Sequence, residues 1–113
     1  MKEELRPEIK KSCIDFLGNQ QFGGAVWEDA TSYSRGDTER VPTIFKTKAG
    51  GCFISIIVGH IYYPNTWIMN CPELGIKERV LNCTTAANAA QLALHHCKSK
   101  VKGMHDAFLT LIV

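Results

Sequence analysis

Five cysteines (Cys13, Cys52, Cys71, Cys83, Cys97) and four histidines (His60, His95, His96, His105) are the residues best suited to chemistry. A structural zinc site brings ligands together in pairs spaced C-x₂₋₄-C or H-x₃₋₅-H, and neither spacing occurs. His95, His96 and Cys97 are consecutive, so on a helix they point about 100° apart. No metal is expected. A nucleophile needs a base and an orienting group beside it. Cys52 and His60 flank one apolar run and Cys71 precedes Pro72, but no strained elbow surrounds any cysteine. Acid–base work would need paired carboxylates in a cleft, whereas the acidic residues gather near the N-terminus and between Glu28 and Glu39. The pairs Gly23-Gly24 and Gly50-Gly51 lack the lysine and following helix of a phosphate loop. The expectation is no cofactor and no enzyme, with a thiol enzyme as the remote alternative.

Binding is better represented. Residues 30–40, ATSYSRGDTER, show no apolar periodicity and read as an exposed loop offering Tyr33, Arg35, Asp37, Glu39 and Arg40. The Arg35-Gly36-Asp37 tripeptide there is ordinary turn chemistry. Tyr62, Tyr63 and Trp67 flank Pro64-Asn65 at a predicted strand end, and aromatic residues in such places anchor protein interfaces. These residues and Asn65 are the expected contacts for a protein partner. Stacked bases are the competing use of the same aromatics.

Composition agrees with a folded binding module. The 113 residues suffice for one domain, spanning 1–113, with its own core. Apolar residues make up 45% and charged residues 21%, and the net charge of +2 is too mild to announce nucleic acid. Met1–Lys11 is charged and unlike a signal segment, and the longest apolar run, Cys52–Val58, is strand-sized. With an odd, scattered set of cysteines, this predicts a cytoplasmic protein with reduced thiols and no membrane span.

The elements that must position these residues read clearly in places. Leu5, Ile9, Cys13, Phe16 and Leu17 predict a helix over about Glu3–Leu17, which Pro7 permits only in its first turn. A short strand is expected over Phe22–Asp29. Val41–Thr47 and Cys52–Val58 predict a hairpin joined through Lys48–Gly51. Strands follow at Ile61–Tyr63, Thr66–Cys71 and Glu78–Asn82, with a turn around Gly75.

The last third carries an apolar stripe at helical spacing: Ala86, Ala89, Ala90, Ala93, Cys97, Val101, Met104, Phe108 and Leu111. Thr84 and Thr85 supply caps. Gly103 follows Lys98, Lys100 and Lys102 in the way a helix stop would. The in-phase stripe beyond it favours one long helix over a final strand from Ala107. The stripe is expected to be core along its length, and the lysines to complement the helix dipole. If the stripe outruns the core, Phe108–Val113 is the place for a homodimer.

The predicted fold is α+β: an N-terminal helix, an antiparallel sheet of three to five strands, and a long C-terminal helix across one sheet face. Its element order over Met1–Val101 resembles that of double-stranded-RNA-binding domains, which implies nucleic-acid binding as the alternative. That family places lysines at the start of its second helix. Here those positions read Thr84-Thr85-Ala86-Ala87-Asn88, so no functional residue carries over. In size and lack of motifs the chain also resembles small accessory proteins of phages and mobile elements, which implies an inhibitor or adaptor acting on a host protein complex.

Overall fold

Pro7 is the first residue of helix α1 (Pro7–Leu17), where its missing N–H leaves no helical hydrogen bond unmade. This computed structural model describes residues 5–17, 21–22, 25–31, 41–60 and 62–111. Ile9, Cys13 and Phe16 form the buried face of α1, and Lys11 and Asp15 pair one turn apart on its outer side. The extended region after α1 is broken into three two-residue strands. β1 (Gln21–Phe22) pairs with β2 (Ala25–Val26), and β3 (Glu28–Asp29) joins the main sheet.

That sheet is an antiparallel meander in the order β3–β4–β5–β6–β7, with β4 at Ile44–Ala49, β5 at Cys52–Ile57, β6 at Trp67–Cys71 and β7 at Ile76–Leu81. β4 starts at Ile44 rather than Val41 because the Thr43 and Ile44 N–H groups donate to the Thr31 hydroxyl (2.9 and 3.1 Å). Gly50 and Gly51 both hold positive φ (57° and 80°), and they alone turn the β4–β5 hairpin. A single-turn 3-10 helix (Pro72–Leu74) ends at Gly75 in the left-handed region and leads into β7. The Glu73 carboxylate accepts from the Phe53 N–H, tying that turn to β5. The expected strand at Ile61–Tyr63 is only an isolated bridge between His60 and Tyr63, and Ile61 lies outside the described residues.

Both helices cover one sheet face. Phe45, Ile54, Ile56, Val58, Trp67, Met69, Cys71 and Leu81 point inward from alternating positions to meet α1 and α2 (Ala86–Leu111). Ala86, Ala89, Ala90 and Ala93 are fully buried. Their small side chains let the α2 backbone come close enough for the Ala86 N–H to donate to Ser12 Oγ in α1 (3.3 Å). Thr85 caps α2, its hydroxyl accepting from the Asn88 N–H (3.2 Å). The opposite sheet face leaves Phe53 and Val80 exposed, with the Lys48 ammonium 5.2 Å above the Phe53 ring.

α2 continues through Gly103 to Leu111, so the final strand from Ala107 does not form. A Cβ at Gly103 would meet nothing within 4 Å, and the residue is an exposed mid-helix position. Gly103→Ala should therefore stabilise the protein by up to about 1 kcal/mol in urea unfolding. A helix that stopped at Gly103 in the left-handed region would give the opposite sign.

Candidate functional site

The arithmetic of lengths decides what α2 leaves uncovered. Its 26 residues span about 39 Å, whereas strands of five or six residues span only about 17–20 Å. The helix must overhang the sheet. The first half of the stripe, down to Cys97, is buried. In the second half Val101, Met104 and Phe108 are 50%, 53% and 62% exposed. The stripe keeps its phase but has lost the sheet beneath it, so it is core only as far as Cys97.

The overhang forms one wall of an apolar groove of about 620 Å³ whose opposite wall is the β4–β5 hairpin. Cys52, Ile54, Leu74, Leu94, Cys97 and Val101 supply its apolar lining. Leu74, Met104 and Phe108 extend the same surface along α2. Lys98, Lys102 and His105 stand along the helix side of the groove, and no carboxylate is among the described residues that line it. The result is an apolar slot with a cationic rim.

The lysines are not where dipole complementation would put them. Because α2 runs to Leu111, Lys98, Lys100 and Lys102 are mid-helix, and no basic residue sits in its last turn. They also divide between two sides: Lys98 and Lys102 border the groove, and Lys100 faces a separate cavity beside β7.

The expected contact residues separate into three groups. Tyr33, Arg35, Asp37, Glu39 and Arg40 lie outside the described residues. Trp67 is fully buried, stacked 6.4 Å from Phe45 at 28°, so its side chain belongs to the core. Its place at the start of β6, paired with inward-facing Leu81, accounts for this burial. Asn65 is half-buried and structural, its Oδ1 accepting from the Arg6 N–H (2.9 Å) ahead of α1. Tyr62 is exposed and Tyr63 half-buried, and both rings lie about 5.7 Å from His60. His60 in turn approaches Glu78 (3.6 Å). This aromatic group is small and sits at the β5–β6 end of the sheet, away from the α2 overhang. Sequence reasoning missed Val101, Met104 and Phe108 as surface residues. The signal was available in the mismatch between a helix of seven turns and strands of six residues.

The thiols divide by environment. All five cysteines are free. Burial pushes the Cys13 and Cys83 thiols up to about 11 and that of Cys97 up to about 12, and burial also raises Cys71. Raised values mean little thiolate at pH 8, and thiolate is the reacting species. Iodoacetamide should therefore label Cys13, Cys83 and Cys97 slowly at pH 8. Their rates should climb about tenfold per pH unit until unfolding intervenes. Fast labelling of any of the three, read by peptide mass spectrometry, would revive a thiol-enzyme reading. Among the described residues, no three His, Cys, Asp or Glu side chains gather so as to hold a metal ion, and no helix is long and apolar enough to cross a membrane.

Comparison of the chain with protein-family models, with curated proteins and with solved structures finds no match.

Proposed function

We propose that this protein is a non-enzymatic protein-binding module that grips an amphipathic, acidic-flanked helix of its partner in the groove beside the α2 overhang. The observation that carries the reading is the run Val101, Met104 and Phe108, apolar, contiguous and exposed on a helix that has left its own sheet. The four most exposed apolar side chains of this segment, Leu109 included, leave roughly 400 Å² uncovered, about half of what one partner contributes to a stable interface. The groove walls add to this surface.

Charge selects the occupant. Lys98, Lys102 and His105 along the rim favour Asp and Glu on either side of the partner's apolar anchors. A second copy of this chain suits the groove less well, because its own overhang would bring more lysines to the same rim. In action the protein is an adaptor or inhibitor, working by occupying a partner's surface. Its free thiols suit a cytoplasmic partner. Nucleic-acid binding is less favoured, since the lysines of α2 divide between two sides instead of forming one phosphate-tracking row.

The test has two steps. Sedimentation over a wide concentration range should give the monomer mass of 12.6 kDa throughout. A doubled mass would make the second copy the occupant in place of an acidic helix. Capture from the cells that naturally express the protein should then yield a stoichiometric partner with the native chain but not with Lys98→Glu/Lys102→Glu. Equal capture by that variant would remove charge as the selector.

A further inference from the structure

On the other flank of α2, a cavity of about 520 Å³ lies between that helix and edge strand β7. Lys77 and Arg79 line it from the strand, and His96, Ser99 and Lys100 from the helix. The three helical residues are spaced i, i+3, i+4, so they share one helix face. No carboxylate is among the described residues lining the cavity.

The one acidic residue in the strand between the two cations is diverted. Met69 pairs with Arg79 and Cys71 with Ile76, so Lys77 and Glu78 together oppose the single residue Asn70. Glu78 takes a positive φ of 47° at this bulge, and its N–H donates to Asn70 Oδ1 (2.7 Å). Its carboxylate lies 3.6 Å from His60 Nε2, away from the cavity lining. A non-glycine residue at positive φ is strained, and bulges are over-represented where a strand re-aims side chains. The strain here leaves Lys77, Arg79 and Lys100 without a carboxylate in the cavity they share.

Crowding of like charge is felt inside the site. Burial first, then the Arg79 charge and His95, lower the His96 imidazole below its ordinary value. An anion at the centre would relieve this repulsion. It would accept from the Arg79 guanidinium, the two ammonium groups and the Ser99 hydroxyl together.

We propose that the cavity between β7 and α2 is a binding site for a phosphate group, gripped by Lys77, Arg79, Ser99 and Lys100. These residues line one cavity and do not form a row along the surface, which suits one phosphate and not a length of duplex backbone. The group can be a terminal phosphate of a small molecule or an internal phosphodiester. This site stands apart from the protein-binding groove and does not depend on it.

The test is a titration of the ¹⁵N-labelled protein with inorganic phosphate, at constant ionic strength held with chloride. Saturable shifts are expected at Arg79, Ser99 and Lys100, with a rise in the His96 pKa read from its ring proton. Arg79→Ala and Lys100→Ala should each weaken binding at least tenfold, whereas Lys98→Ala, on the opposite flank, should not. A nucleoside monophosphate and a 5′-hydroxyl thymidine dinucleotide then distinguish the two sources, the tighter binder at the same residues naming the source. Shifts spread evenly over all surface lysines, or binding unaltered in Arg79→Ala, would overturn the proposal as mere counter-ion association. If Arg79→Ala fails to fold, Arg79→Lys replaces it, since loss of the guanidinium fork alone should still weaken binding severalfold.

Discussion

Trp67→Ala should lower the free energy of unfolding by about 3–5 kcal/mol, the range for emptying a large aromatic site in a packed core. Trp67 is a fully buried ring of the inner face. It stacks on Phe45, whose ring lies edge-on to Phe16 at 4.8 Å, and Phe16 in turn meets Trp27 at 6.4 Å. This chain of rings joins β6, β4, α1 and the segment between β2 and β3. Its loss would loosen both layers. Natural domains hold only about 5–15 kcal/mol in total, so the variant should be close to unfolding at 37 °C. Trp67→Phe should cost far less. The buried indole N–H of Trp67 has no acceptor among the described residues, and phenylalanine removes that unsatisfied donor while keeping most of the ring. Urea midpoints measure both. A cost below about 1 kcal/mol for Trp67→Ala would return the residue to the surface, as a partner contact.

Met104→Glu/Phe108→Glu should show the reverse pattern. Both side chains are more than half exposed, so unfolding should change by no more than about 0.5 kcal/mol per site. Partner binding should fall at least thirty-fold, because central apolar anchors in an interface are worth 2 kcal/mol or more each. The added carboxylates would also repel an acidic partner. Stability retained and binding lost is the signature of an interface. Stability lost with binding would mean that the overhang packs against its own fold.

These expectations show where the sequence was informative. Alternation and turn chemistry made β4, β5 and their hairpin legible, because Gly50-Gly51 can turn in the left-handed region that other residues avoid. The long helix was legible through Gly103, since the apolar period runs on in phase past it and one mid-helix glycine costs only about 1 kcal/mol, although the side chains beyond it prove to be exposed. Faces were harder. Trp67 and Tyr62 are aromatics on either side of the same Pro64-Asn65, yet one is buried and the other 78% exposed. Only the register of β6 against β7 decides which way Trp67 points. The stripe posed a different problem. Periodicity states that Val101, Met104 and Phe108 share a face with Ala90 and Cys97, but not whether anything lies opposite. That depends on the length of the sheet. The cluster of Lys77, Arg79 and Lys100 joins residues about twenty positions apart, and only the packing of α2 beside edge strand β7 brings them together.

Site-specific photo-crosslinking tests the protein-binding account most directly. A photoreactive benzoyl-phenylalanine would replace, one at a time, Val101, Phe108, Tyr62 and Val80 in cells that naturally express the protein. All four positions are exposed, and they sample the overhang, the aromatic end and the outer sheet face. One discrete adduct of the same mass should form from positions 101 and 108, with none from 62 or 80. Adducts from 62 or 80 but not from 101 and 108 would place the interface elsewhere and contradict the account.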